Sequence, residues 1–158
     1  MKILVTGAAG FIGFHTSQAL LAGGHEVMGI DNLNAYYDPR LKKARLDHLI
    51  PHENFQFHKL DLADTEAVLS VILPWKPDAI CHLAAQAGVR YSLEAPFAYA
   101  RSNLLGHLTI LELARGLGEG LRHLVYASSS SVYGEQAEVP FREESASDAP
   151  ESLYAATK

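Results

Sequence analysis

Near the end of the chain, in the stretch SLYAATK, Tyr154 is followed four residues on by Lys158. On a helix that spacing puts both side chains on one face, a turn apart. A phenol beside an ammonium can exchange protons. Upstream, YASSSSVYG (126–134) sets four serines, Ser128 to Ser131, in a row. Together these residue types suit the oxidation of a secondary alcohol, where a base must take the hydroxyl proton while hydride leaves the carbon. A free phenol, with a pKa of about 10, is a poor base at pH 7. A nearby ammonium and a positive nicotinamide ring favour the phenolate. Lowering the pKa by about three units needs roughly 4 kcal/mol, which a close cation in a low-dielectric site supplies in order of magnitude. A serine hydroxyl on the same oxygen would orient the substrate. Of the seven tyrosines only Tyr154 has a lysine at this spacing. A helical face carrying Tyr and Lys is nonetheless common on surfaces, so the pair gains its weight from what lies upstream.

What lies upstream is TGAAGFIG (6–13), with Gly7, Gly10 and Gly13 in a G-x-x-G-x-x-G pattern. The three glycines serve a tight turn, close backbone approach to a pyrophosphate, and close packing of helix on strand. A helix starting there presents free N–H groups and its positive dipole to an anion. A Gly-rich turn with no ligand is the alternative. The preceding strand, the following helix and Asp31 at the end of the next strand disfavour it. Asp31 can accept hydrogen bonds from a ribose diol, and its charge would repel a 2′-phosphate, which favours NAD over NADP. Lys42, Lys43 and Arg45 could answer a phosphate, although a solvated helix face is the weightier reading. Asp61 has two balanced readings, a contact to the adenine amino group or a helix cap before Asp64.

The elements that must position these residues alternate. Apolar runs at 2–7, 25–31, 54–61, 78–85 and 121–131 read as strands buried on both faces of a parallel sheet. Between them, 11–24 reads as a helix with Phe11, Ile12, Ala19, Leu20 and Ala22 on its buried side, stopped by Gly23-Gly24. Residues 39–50 form a helix opened by Pro39, with Leu41, Leu46, Leu49 and Ile50 on apolar positions. Asp64 caps a helix to about Leu73 that Pro74 and Pro77 close. Residues 95–117 form one long helix with Ala100, Leu104, Leu108 and Leu111 near helical spacing. The alternation predicts an α/β fold, a doubly wound parallel sheet (Rossmann fold) in the order 3-2-1-4-5. Residues 134–153 have no clear period and read as a loop over the carboxyl edge of the sheet, where ligands sit.

Composition sets bounds on this reading. The 158 residues suit one domain with a real core. A net charge of −5 opposes a nucleic-acid footprint, which needs a basic stripe. The single cysteine, Cys81, excludes an intrachain disulfide and reads as a buried small hydrophobe in a reducing cytosol. No run of 18 apolar residues could span a membrane, and MKILVTG enters a strand with no leader pattern, so the expected location is cytoplasmic. The eight histidines show no metal-binding spacing, so no metal is expected. Trp75, between two prolines, reads as a packing residue.

TGAAGFIG, Asp31-Asn32, HLAAQAGV, SSSSVYG and YAATK together resemble the extended short-chain dehydrogenase/reductase group of nucleotide-sugar epimerases and dehydratases, over the whole chain. The resemblance implies Tyr154 as base, Lys158 as its cation and Ser129, five residues before the glycine of VYG, as the active serine. It places cofactor contacts at Phe11, Ile12, Asn32, Leu62 and Leu83, at Ala84, Ala85 and Ala87, at Asn103, and at Tyr154 and Lys158 themselves. Asn103 could instead make only a polar contact within its helix. The 4,6-dehydratases of the group carry an acidic pair where this chain has Ser130 and Ser131, which argues against dehydration. DNLNAYYDPRLKKARLDHL (31–49), QAGVRYSLE (86–94) and SSSSVYG are most similar to the UDP-glucuronate 4-epimerases, while epimerases of other UDP-hexoses share most of the rest. Ser129, Ser130 and Arg90 are the expected substrate contacts, against a surface or dimer-contact role for Arg90 that weighs slightly more.

The implied reaction oxidises C4 of a UDP-sugar to a 4-keto form, turns the ring over, and returns the hydride to the other face, so NAD stays bound. A 4-keto uronate is a β-keto acid, and its carboxylate must be held out of the decarboxylating geometry. The group runs on for about another domain's length. Residues 1–158 are accordingly expected to be an NAD-binding Rossmann domain lacking the later strands and the sugar-nucleotide domain. Such a piece would be inactive alone, with Tyr154 and Lys158 on a frayed end. The resemblance implies that the full-length protein is a homodimer built on the 95–117 helix and on the helix that Tyr154 begins. A reductase with net redox, or a module that only binds dinucleotide, are the alternatives.

Overall fold

The computed structural model describes residues 1–135 and 138–158. Strands β1 (Lys2–Thr6), β2 (Glu26–Asp31), β3 (Phe55–Lys59), β4 (Ala79–His82) and β5 (His123–Tyr126) pair in parallel in the order 3-2-1-4-5. This is the doubly wound sheet that the alternation predicts. The register sets Thr6 level with Ile30 on one side and His82 on the other, and His82 level with Tyr126. The strand ends that carry chemistry therefore meet along one carboxyl edge.

Alternation along β1 sends Ile3 and Val5 to one face and Leu4 to the other. On the first face they pack with Val27, Leu49 and Phe55 beneath helices α1 (Phe11–Ala22) and α2 (Pro39–Leu49). On the second face Leu4, Met28, Ile30 and Ile80 meet Val68, Ile72, Ile110 and Leu113, which come from α3 (Thr65–Trp75) and from a later helix, Gly106–Leu117. Each fully buried aliphatic side chain contributes about 1.5–3 kcal/mol.

Several elements depart from expectation. Phe11, Ile12, Ala19 and Ala22 of α1 are exposed, and the buried residues are Gly13 and Ser17. Small side chains are what let this helix lie close on the sheet, with Phe14, Leu20 and Leu21 packing at its flanks. Leu41 of α2 and Ile50, which follows its last residue, are also exposed, leaving Leu46 and Leu49 to anchor the helix. Asp64 caps α3 through the Ala67 N–H, but the helix runs through Pro74 to Trp75 and ends on Lys76 in the left-handed region, φ 55°. A proline in the last turn forfeits only one bond there.

The expected 95–117 helix is instead a series. After α4 (Val89–Glu94), it comprises α5 (Pro96–Tyr99), a π-helical segment (Ala100–Leu105) and α6 (Gly106–Leu117). The π segment changes the phase of the buried stripe. Asn103, Gly106, Thr109, Ile110 and Leu113 face inward, while Leu104, Leu108 and Leu111 are exposed. β5 is shorter than expected, and Val125 and Tyr126 are exposed because it is an edge strand, not a strand buried on both faces. The serines after it have left the sheet. Among the described residues no helix forms between Tyr133 and Leu153, as the loop expectation has it; Gln136 and Ala137 of that loop lie outside the described residues.

Candidate functional site

The glycine turn opens at the end of β1. Gly7 sits at φ 69°, and a Cβ there would lie 3.0 Å from the Ala84 backbone. A Cβ on Gly13 would lie 2.1 Å from the Gly7 carbonyl oxygen, so only glycine fits between turn and helix. The N–H groups of Gly7 and Ala8 both donate to the Ile30 carbonyl, fixing the turn to β2. Gly10 precedes α1 with no side-chain cap, which leaves the first-turn N–H groups of α1 available to an anion.

A cleft runs from this turn. Gly7, Gly10, Asp31, Asn32, Asp61, Leu62, Leu83, Ala84 and Ala85 all line it, so most of the expected cofactor residues come together. Asp31 Oδ1 accepts from the Leu33 N–H at 2.8 Å and from Lys42 Nζ at 3.1 Å, while Oδ2 accepts from the Ala9 N–H at 3.3 Å. The lysine and aspartate side chains are 9% and 6% exposed. This corrects the solvated-face reading for Lys42, which is buried in the cleft wall. The Asp31–Lys42 pair is neutral overall, so charge alone does not exclude a 2′-phosphate. What Asp31 retains is an Oδ2 with a single long backbone bond, free to accept from a diol. Arg45 is also engaged, donating to the Ala9 carbonyl at 3.1 Å, whereas Lys43 is exposed beside Asp47. Asp61 holds its own turn through the Ala63 N–H at 3.0 Å and meets Arg101 at 3.2 Å. The helix cap is Asp64, which removes the capping reading of Asp61.

A second, smaller hollow shares Ala84 and Ala85 with the cleft and is lined also by His82, Asn103, His107 and Lys158. The Thr6 hydroxyl accepts from the N–H groups of Leu83 and Ala84, both at 3.0 Å. Its one proton then goes to His82 Nδ1, 2.7 Å away, and leaves His82 neutral with its proton on Nε2. Burial, followed by His107 and Lys158, pushes the His82 pKa down to about 4. Burial also lowers His107 and Lys158 below their ordinary values, and Lys158 adds to the effect on His107.

Tyr154 lies on α7 (Leu153–Ala156), a short turn that Ser152 caps by accepting the Ala155 N–H at 3.0 Å. Asn103 Nδ2 donates to Thr157 Oγ1 at 2.9 Å, and Ser128 donates to the Lys158 carbonyl at 3.1 Å. Tyr99, fully buried, meets the Tyr154 ring edge-on with centroids 6.0 Å apart. The expected fraying is therefore not what the structure has; the turn is tied to three other segments. Ser129 starts a 3-10 turn (Ser130–Tyr133) and accepts the Ser131 N–H at 3.3 Å.

Other expected residues fall elsewhere. Phe11 and Ile12 stand exposed at the start of α1, and Arg90 and Ser130 are exposed. Ala87 is outside the cleft lining and receives the Tyr99 hydroxyl at 2.7 Å. Both N–H bonds of the Asn103 carboxamide are taken, by the Gln86 carbonyl and Thr157, while its Oδ1 accepts the Gln86 N–H at 2.7 Å. Asn103 is thus a brace between the loop after β4 and α7, not a free cofactor contact. Sequence reasoning gave a cleft role for Lys42 the lesser weight and missed Tyr36 and Gln86. The signal for Lys42 was present, because it shares the helical stripe of Leu46 and Leu49. The Tyr36 ring packs tilted against Tyr91 with centroids 4.9 Å apart, a contact between segments far apart in the chain that no local pattern reveals.

Glycine turn, switch-point cleft and strand order define the class, a Rossmann-like nucleotide-binding α/β domain. The chain belongs to the GDP-mannose 4,6 dehydratase family of extended short-chain dehydrogenases/reductases, whose pattern matches residues 4–158. It is 54% identical over all 158 residues to an uncharacterized 37.6 kDa protein in the cld 5′ region of Escherichia coli O111:H-, covering 46% of that protein. It superposes on the UDP-glucuronic acid 4-epimerase of Bacillus cereus, solved with UDP-glucuronic acid and NAD, with TM-score 0.88 and 38% identity, over 100% of this chain and 49% of that one. A UDP-glucose 4-epimerase of Thermus thermophilus in complex with NAD gives TM-score 0.82 and 40% identity, over 100% and 47%. The chain thus spans about half the length of these relatives. No helix among the described residues is long and apolar enough to cross a membrane.

Proposed function

We propose that residues 1–158 form the NAD-binding domain of a nucleotide-sugar 4-epimerase acting on UDP-glucuronate. One observation carries this reading. The cleft at the glycine turn and the hollow at Lys158 share Ala84 and Ala85, so a single extended ligand can lie across both. The residues fit a dinucleotide. The α1 N-terminus takes the pyrophosphate, Asp31 takes the adenosine ribose, and small Ala84 and Ala85 leave room for what passes them. NAD held there would supply a reversible acceptor for the hydride of the sugar C4.

The chain's own groups do the rest. Tyr154, as the phenolate that the Lys158 ammonium favours, accepts the C4 hydroxyl proton, holds it as the phenol while the sugar is oxidised, and then gives it back. Ser129 donates to the sugar oxygen and orients it, with Ser130 and Arg90 as further substrate contacts. Serines at 130 and 131, where dehydratases have an acidic pair, leave no acid for loss of water. That separates this chain from the activity for which its family is described. The similarity to a UDP-glucose 4-epimerase keeps a neutral UDP-hexose as the second reading. The exposed row Phe97, Leu104, Leu108 and Leu111 supports a homodimer.

The test is conversion of UDP-glucuronate to UDP-galacturonate by the full-length protein with no nicotinamide added. Tyr154→Phe should lose about 10²- to 10⁴-fold in rate and keep its bound cofactor. Net accumulation of NADH with wild-type protein would favour a dehydrogenase instead.

A further inference from the structure

Among the described residues, one buried side-chain polar atom has no hydrogen-bond partner, Nε2 of Gln86. Gln86 is 4% exposed and lines the cleft. A buried donor without a partner destabilises a fold, and native structures keep few of them. Slack does not explain this one. The Gln86 backbone is held from both sides by Asn103, at 2.7 Å on its N–H and 3.1 Å on its carbonyl. The same asparagine holds Thr157, next to Lys158. The nearby Tyr99 hydroxyl spends its proton on the Ala87 and Gly88 carbonyls. The Gln86 carboxamide lies near enough to favour that phenol's anion but falls short of hydrogen-bond geometry with it.

We propose that Gln86 is a cofactor-positioning residue, its carboxamide N–H held for a ribose oxygen on the reacting-base side of the dinucleotide. The inference rests on the dinucleotide reading above. Gln86 follows directly on Ala84 and Ala85, where the cleft and the Lys158 hollow meet. A dinucleotide anchored at the glycine turn passes this point on its way to the Lys158 hollow. The part of it that lies between pyrophosphate and reacting base is a hydroxyl-bearing ribose. A donor fixed there sets how far the base reaches toward Tyr154.

The test compares NADH with ADP, which lacks the second ribose, by titration into cofactor-free protein. Gln86→Met, similar in size but without the donor, should weaken NADH about five- to tenfold and leave ADP unchanged. It should also raise the melting temperature of the cofactor-free protein, because an unmet donor is gone. Gln86→Glu, which offers only acceptors, should weaken NADH at least as much. It also serves if the Met variant fails to fold. Three results would overturn the proposal: unchanged NADH affinity in Gln86→Met, equal losses for NADH and ADP, or wild-type NADH affinity in Gln86→Glu, which would mean that the carboxamide oxygen makes the contact. Wild-type protein that binds no NADH would overturn the dinucleotide reading along with it, whereas variant affinities equal to a measurable wild-type value overturn this proposal alone.

Discussion

Two buried groups show how single residues set the site's electrostatics. Lys42 and Asp31 form an ion pair in the cleft wall, with Asn34 Oδ1 3.4 Å from the same ammonium. Removing the lysine leaves a buried carboxylate short of its cation, a change that costs about 3–5 kcal/mol when the geometry cannot relax. Lys42→Met should therefore lower the urea midpoint sharply, and adding Asp31→Asn should recover much of the loss. Lys43→Met, on the exposed side of the same helix, should change stability by less than about 1 kcal/mol. His82 supplies the pH dependence. Its folded pKa of about 4 lies below the ordinary 6.5, so the fold favours the neutral ring. The stability it contributes is complete above pH 6.5 and is lost as pH falls toward 4, a difference on the order of 3 kcal/mol. Thermal melts between pH 4 and 8 should show that slope, and His82→Gln should flatten it. A wild-type slope that survives the substitution would assign the effect to other groups.

At the scale of elements, the decisive fit is α1 against the glycine turn. In Gly13→Ala the new Cβ meets backbone and no flexible side chain, so the helix itself must move. Overpacking of this kind costs about 1–3 kcal/mol, and NADH affinity should fall with stability because the anion site moves with the helix. Asp64→Ala should cost about 1 kcal/mol through loss of the α3 cap and leave cofactor binding unchanged, since that helix lies away from the cleft mouth. The glycine triplet, the Asp64 cap and the strand alternation were all legible in the sequence, because each depends on residues close in the chain. The buried side of α1 was not. Hydrophobicity pointed to Phe11 and Ile12, but proximity to the sheet selected Gly13 and Ser17. The π segment was likewise hidden, because the Asn103 brace joins Gln86 and Thr157, distant in sequence, and it turns Leu104 and Leu108 outward.

For the whole molecule, the outward row on α5 and α6 is the largest consequence of that phase change. If it forms the subunit contact, Leu108→Glu should shift sedimentation from dimer to monomer without disturbing the sheet, since Leu108 is already exposed. A wild-type protein that sediments as a monomer would end that reading. The row of strand ends, Thr6, Ile30, His82 and Tyr126, joins the glycine turn to the lysine hollow across the sheet. No single element contains both halves of the candidate site.

By itself the sequence determined the strand order and the glycine turn, since strand periods and turn chemistry act over a few residues. Only the tertiary structure decided which charges are buried, which helix faces meet the sheet, and that Gln86 is left with an unmet donor. Those outcomes depend on desolvation and packing between segments far apart in the chain, where the same lysine or leucine ends inside or outside according to what it meets.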